Sequence, residues 1–139
     1  MILLDTNVLS ALMRPHPDAL VVTWLDRQPR TSIWTTSITV FEIRLGLETM
    51  AIGKRRTTLI ALFERLLNEL IQQRIAHFDT VAAQRAAELM AARQKKGRPI
   101  DLRDTMIAGI VLASHAMLAT GNVRHFADIA PSLIDPWHT

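Results

Sequence analysis

An α/β fold is what this sequence predicts: a mostly parallel sheet sandwiched between helices, in one domain spanning 1–139. Three observations predict it. Short aliphatic and β-branched runs, "ILL" at Ile2–Leu4, "SIWTT" at Ser32–Thr36, "RIAHF" at Arg74–Phe78, "MLAT" at Met117–Thr120 and the pair Leu133–Ile134, alternate with stretches of helical periodicity. Such alternation marks βα units, in which a helix carries the chain back so that the next strand runs parallel. Hydrophobic residues make up 49% and charged residues 21%, enough apolar side chain for one packed core at this length. No internal repeat, linker or low-complexity tract divides the chain.

Ile2–Leu4 read as a short buried strand, and Thr6–Met13 start a helix that the two prolines of "RPHP" break. Asp18 can cap a second short helix through Leu25. After the strand at Ser32–Thr36, "SITVFEIRLGLETM" has a β-branched opening, but Phe41, Leu45 and Glu48 recur at helical spacing, which places a helix from about Ser37. Thr57–Gln73 carry an amphipathic stripe of Leu59, Leu62, Phe63, Leu66, Leu67 and Leu70. Asp79 caps a long alanine-rich helix that ends at the lysines before Gly97. Asp101 can cap a helix whose body, Met106–Ala113, is nearly all small and apolar and therefore buried. A short helix through Phe126 leads to the last strand. The apolar stripes of Thr57–Gln73 and Val81–Ala92 exceed what one small core uses, and so suggest self-association.

With no cysteine, disulfides and thiolate metal sites are excluded, and a reducing compartment is the default. No basic region followed by a long apolar stretch opens the chain and no window reaches a membrane span, so a cytoplasmic location without membrane contact is expected. The net charge of +3 tolerates a polyanionic partner without requiring one. Basic residues cluster in "GKRR" (Gly53–Arg56) and "RQKKGR" (Arg93–Arg98), runs that by themselves read as solvated helix ends.

Four oxygen-bearing side chains point to one place. In an open parallel sheet, ligands bind outside the carboxyl ends of the strands. Asp5 directly follows the first strand and Asn122 the fourth, Glu42 lies a helical turn beyond the second, and Asp104 sits in the first turn of the most buried helix. Each has an ordinary explanation: Asp5 as a helix cap, Glu42 as the partner of Arg44, Arg65 or another cation, Asp101 with Asp104 as a capping pair, Asn122 as a turn residue. None of these explains convergence on one edge. Converging carboxylates repel and need a cation, and oxygen donors without cysteine or paired histidines suit Mg2+ or Mn2+, the metals of phosphoryl chemistry. His16, His77, His115 and His138 read as structural or surface residues. His125 follows Arg124 and Asn122, within reach of a phosphate.

The segments "MILLDTNVLSALMRP", "TTSITVFEIRLGL", "GRPIDLRDTMIAGIVLASHAMLATGNVRHF" and "DPWH" together resemble the successive blocks of a PIN domain, and within that family the VapC-type toxins of the FitB-like subgroup. The resemblance implies an α/β/α sandwich on a four- to five-stranded parallel sheet and an Mg2+- or Mn2+-dependent endoribonuclease, the toxin of a bacterial type II toxin–antitoxin pair. It places the family's acids on Asp5, Glu42 and Asp104, hydroxyls lining the site on Thr6 and Thr120, and a fourth, sometimes acidic, position on Asn122. It also implies a small VapB/FitA-like antitoxin as partner, contact with DNA only through that antitoxin, and a homodimer. Asparagine at 122 departs from the acidic form and weakens the case for a second metal, and Gly121 stands where a basic residue is expected. Arg44, Arg103, Arg124 and His125, with Lys54 and Arg55, are the candidates for positioning the RNA backbone. Two other readings stay open: a metal-free module whose acidic cleft docks a basic peptide, and a haloacid-dehalogenase-type phosphatase. The latter wants a second aspartate where this chain has Asn7.

Overall fold

Residues 1–98 and 101–139 are described by the structure, a computed structural model. Five parallel strands form one sheet in the order β3-β2-β1-β4-β5: β1 Ile2–Leu4, β2 Ile33–Thr36, β3 Ile75–Ala76, β4 Met117–Ala119 and β5 Leu133–Ile134. β1 is central, with Leu3 level with Trp34 on one side and Leu118 on the other. Alternation along each strand divides the core in two, because successive side chains leave opposite faces. Ile2, Leu4, Ile33, Ile75 and Ile134 pack on one layer of helices, whereas Leu3, Trp34, Ala76, Leu118 and Leu133 pack on the other.

The first layer holds α1 (Thr6–Leu12), α2 (Ala19–Asp26), α3 (Ser37–Glu48) and α4 (Lys54–Arg65). Asp5 and Asp18 cap α1 and α2, and Thr36 caps α3 by accepting from the Thr39 N–H at 2.9 Å. That cap settles the ambiguous segment in favour of helix from Ser37. α4 begins three residues earlier than expected, and Leu66–Leu70 widen into a π-turn in place of a continuous helix to Gln73. Gln72 and Gln73 then take left-handed φ of 52° and 58°, which delivers Arg74 to the Ile33, Arg30 and Leu70 carbonyls. Phe63, Leu67 and Leu70 are buried in the core, and Leu59 and Leu66 pack against it. The stripe that suggested self-association along this helix is thus largely used inside.

The second layer is the antiparallel pair α5 (Thr80–Lys95) and α6 (Leu102–Ser114). They pack closely because the facing residues are small: Ala82 and Ala86 face Gly109, where a Cβ would meet the Ala82 carbonyl oxygen at 2.6 Å. Val81 is left 54% exposed on the outer face of α5. After β4, residues Val123–Ser132 run as 3-10 turns, longer than the short helix expected through Phe126 and broken at Phe126 and Ile129. Both breaks bury the side chain concerned. No helix among the described residues is long and apolar enough to cross a membrane.

Candidate active site

From β1 the chain builds outward through β2 to β3, then crosses back to β4 and β5, so the strand order reverses between β1 and β4. A crevice outside the carboxyl ends of the strands forms at such a switch point. Asp5 ends β1 there and Thr120 follows β4.

Asp5 is 3% exposed. One of its oxygens accepts from the Thr6 N–H at 2.8 Å; the other accepts from the Thr120 hydroxyl at 2.8 Å and from the Asn7 amide at 3.2 Å. The side chain is therefore a helix cap and also the floor of the crevice. Its donors are all neutral. Burial pushes its pKa up, against these hydrogen bonds, and the charge of Asp104 pushes the same way.

Glu42 reaches the crevice from α3 and accepts from the Thr6 hydroxyl at 2.9 Å. Its pKa is raised by desolvation first and then by Asp5 and Asp101, with the Thr6 bond and Arg103 opposing. Arg103 stands 3.8 Å from its second oxygen. Asp104, in the first turn of α6, is raised by desolvation and by the charges of Asp101 and Glu42, while His125 lowers it through a 2.9 Å contact between Nδ1 and Oδ2. Asp101 caps α6 by accepting from the Asp104 N–H. Three carboxylates from three separate elements thus lie near enough to disfavour one another's ionisation.

The other expected residues divide. Thr6 and Thr120 line the crevice by the bonds just given. The Asn122 N–H donates to the Thr120 hydroxyl at 3.0 Å, and its exposed side chain has no hydrogen bond among the described residues. Arg124 is exposed beside it. Arg44 is drawn off: it pairs with Glu64 of α4 and lies over the Phe63 ring, because its place two residues after Glu42 turns it to another face of the helix. Arg65 pairs with Glu69, so neither it nor Arg44 neutralises Glu42. Gly121 has a local reason: a Cβ there would meet the Trp137 ring at 2.9 Å.

Asn7 joins the two central strand ends. Its amide donates to Asp5 and to the Thr120 hydroxyl, and its carbonyl accepts from the Gly121 N–H at 2.9 Å. The sequence carries a signal for this: an asparagine amide offers donors and an acceptor at once, which suits a residue that must join two strand ends.

The donor set fits a hard divalent cation, with carboxylate and hydroxyl oxygens and, among the described residues, no sulfur and no buried protein cation beside Asp5. As the side chains stand, no three His, Asp or Glu among the described residues close around one point as a finished coordination shell. Asp104 is engaged by His125, and Glu42 by Thr6 and Arg103.

Beside the acids, on the first helical layer, a trough of about 1070 Å³ runs between α1, α3 and α4. Thr6 and Glu42 stand among its lining residues; Met13, Leu47, Leu59 and Leu62 make it apolar, and Arg14, Lys54 and Arg55 are basic.

Comparison with known proteins places the chain in a family. The model of the PIN domain family matches residues 2–130. The VapC ribonuclease Y4jK of Sinorhizobium fredii is 36% identical over 99% of this chain and 98% of its own length. Toxin FitB of Neisseria gonorrhoeae is 33% identical over 99% of each chain. A solved structure of FitAB bound to an IR36 DNA fragment superimposes with a TM-score of 0.88 at 33% identity, over all of this chain and 97% of the other. A family match over residues 2–130, joined by relatives aligned over nearly the whole chain, leaves one conclusion: this chain belongs to the PIN domain family, with a VapC ribonuclease and the toxin FitB among its relatives.

Proposed function

We propose that this protein is a divalent-metal-dependent endoribonuclease and the toxin half of a toxin–antitoxin pair. The observation that carries the reading is the buried, cation-free Asp5 at the switch point, with Glu42 and Asp104 brought to it from separate helices and all three carboxyls shifted upward. Asp5, Glu42 and Asp104 would hold Mg2+ or Mn2+, with Asn122 offering a neutral carbonyl nearby. Such an ion, when bound, supplies an activated water and offsets charge at the scissile phosphate. The remaining work falls to the chain. Thr120 and Asn7 orient the Asp5 carboxylate, Thr6 orients Glu42, His125 orients Asp104, and Arg103 and Arg124 stand ready for the RNA backbone. Asp5 lacks the second aspartate of a phosphatase pair, since position 7 is Asn.

The trough suits an apolar antitoxin segment that delivers a basic side chain to Glu42, and any DNA contact would be the antitoxin's. Phe41 and Leu45, 53% and 42% exposed on one face of α3, support pairing with a second copy. A cytoplasmic setting goes with an RNA substrate.

The test is direct. Purified protein should cleave RNA with Mg2+ or Mn2+ and stop with EDTA, and Asp5→Asn and Asp104→Asn should lose cleavage while keeping the circular dichroism spectrum. If both variants cut at the wild-type rate, the site is misassigned.

A further inference from the structure

The two basic clusters of this chain lie on opposite layers of the sandwich. "GKRR" supplies Lys54 and Arg55 to the trough. "RQKKGR" ends α5, and its Lys95 and Lys96 are exposed, with ammonium groups that make no ion pair or hydrogen bond among the described residues.

The ordinary explanation for lysines at a helix C-terminus is compensation of the orphan carbonyls and the dipole. Here the backbone does that work. The Arg98 N–H donates to the Arg93 carbonyl and the Gly97 N–H to the Gln94 carbonyl, with Gly97 at φ 65°, a complete left-handed helix closure. Nearby negative charge is also occupied. Asp128 takes two hydrogen bonds from Arg93, at 2.7 and 2.9 Å, and has Arg98 at 3.5 Å. The ammonium groups of Lys95 and Lys96 therefore have no carboxylate within ion-pair distance among the described residues.

Their position is defined by Arg93, which is 3% exposed. It bonds the hydroxyl of Thr105, next to Asp104, at 2.8 Å and the His125 carbonyl at 3.3 Å. The end of α5 is thereby tied to both segments that carry Asp104, Arg124 and His125. Arg103 and Arg124 are the arginines those two segments carry, while the trough lies on the first helical layer between α1, α3 and α4.

We propose that single-stranded RNA leaves the crevice over the end of α5, its phosphates tracked by Lys95 and Lys96, and that the α4 flank is left to the antitoxin. This rests on the nuclease reading. The flexible, strongly hydrated lysine heads suit a backbone track that carries no sequence preference.

The experiment measures binding of a short fluorescein-labelled single-stranded RNA by anisotropy, in the Asp5→Asn background so that the probe stays intact. Lys95→Gln/Lys96→Gln is compared with Arg27→Gln/Arg85→Gln, which removes the same charge from exposed sites elsewhere. The lysine pair should weaken binding about tenfold near 50 mM salt. It should also flatten the slope of log affinity against log salt by roughly 1.4, about 0.7 for each phosphate no longer neutralised. Lys95→Arg/Lys96→Arg should restore both, and the distant pair should change neither. If the two double variants bind alike, the proposal is overturned. Cleavage separates it from the nuclease reading: weakened binding with no metal-dependent cleavage by the wild type sinks the nuclease and leaves the RNA track. Wild-type kcat/KM in Lys95→Gln/Lys96→Gln sinks the track and leaves the nuclease.

Discussion

Arg93→Met tests whether one buried ion pair holds the second half of the site in place. Arg93 is 3% exposed, and the Asp128 side chain beside it 15%. Methionine fills most of the arginine stem but abandons a carboxylate that accepts two of its hydrogen bonds. Removing one partner of a fully buried pair destabilises by about 3–5 kcal/mol; the partial exposure of Asp128 and the remaining Arg98 reduce this to about 2–3 kcal/mol. With a urea m-value of about 1–3 kcal/mol/M for a domain of this size, the midpoint should fall by roughly 1–2 M. Arg93→Met/Asp128→Leu should recover most of the loss, because the only charge then left without its partner is that of the solvent-accessible Arg98. The pH dependence carries a sign. The Arg93 hydrogen bonds hold the Asp128 carboxyl below its ordinary value, so the native state binds fewer protons than the unfolded chain. The stabilisation is present above about pH 4 and drains away as pH falls through the folded pKa, so wild type and Arg93→Met should converge in acid. A single variant within about 0.5 kcal/mol of wild type, or a double variant no better than the single, would refute this account of the pair.

Two further predictions concern the packing seam and the crevice. Gly109→Ala gains about 1 kcal/mol of helix propensity but drives a Cβ to 2.6 Å from the Ala82 carbonyl, and overpacking of that kind costs about 1–3 kcal/mol. The melting temperature should therefore fall, and a rise would mean that α5 and α6 separate freely. Asn122→Asp should tighten Mn2+ binding by calorimetry, with Asp5→Asn cancelling most of the gain; unchanged affinity would remove position 122 from the site.

Much of this was legible in the sequence, for identifiable reasons. Strand–helix alternation located all five strands, since each is a short apolar run, and several end in a cap or turn residue such as Asp5, Thr36 or Asp79. The same reasoning brought Asp5, Glu42 and Asp104 to one edge, because the direction of a parallel sheet dictates where strand ends point. What escaped depends on distance across the fold. In sequence Arg93 is one of several helix-end cations, and only the placement of Asp128 and Thr105 makes it a buried anchor. The π-turn at Leu66–Leu70 leaves the apolar pattern of a regular helix nearly intact, so periodicity ran on to Gln73. Arg44 stands two residues from Glu42, which on a helix turns it to another face, and only the placement of α4 shows that Glu64 meets it there.

The hydrogen bond between Asp5 and Thr120 spans 115 residues of chain. A ribosome adding about 5–20 residues per second needs on the order of ten seconds to cover that interval. Until β4 is made, β1 has at most β2 on one side and nothing on the other, so the crevice has a floor but only one wall. A nascent chain, or one clipped before β4, therefore lacks the group that orients its central carboxylate. On the proposed nuclease reading, the strand order therefore holds activity back until β4 has been made and has joined β1.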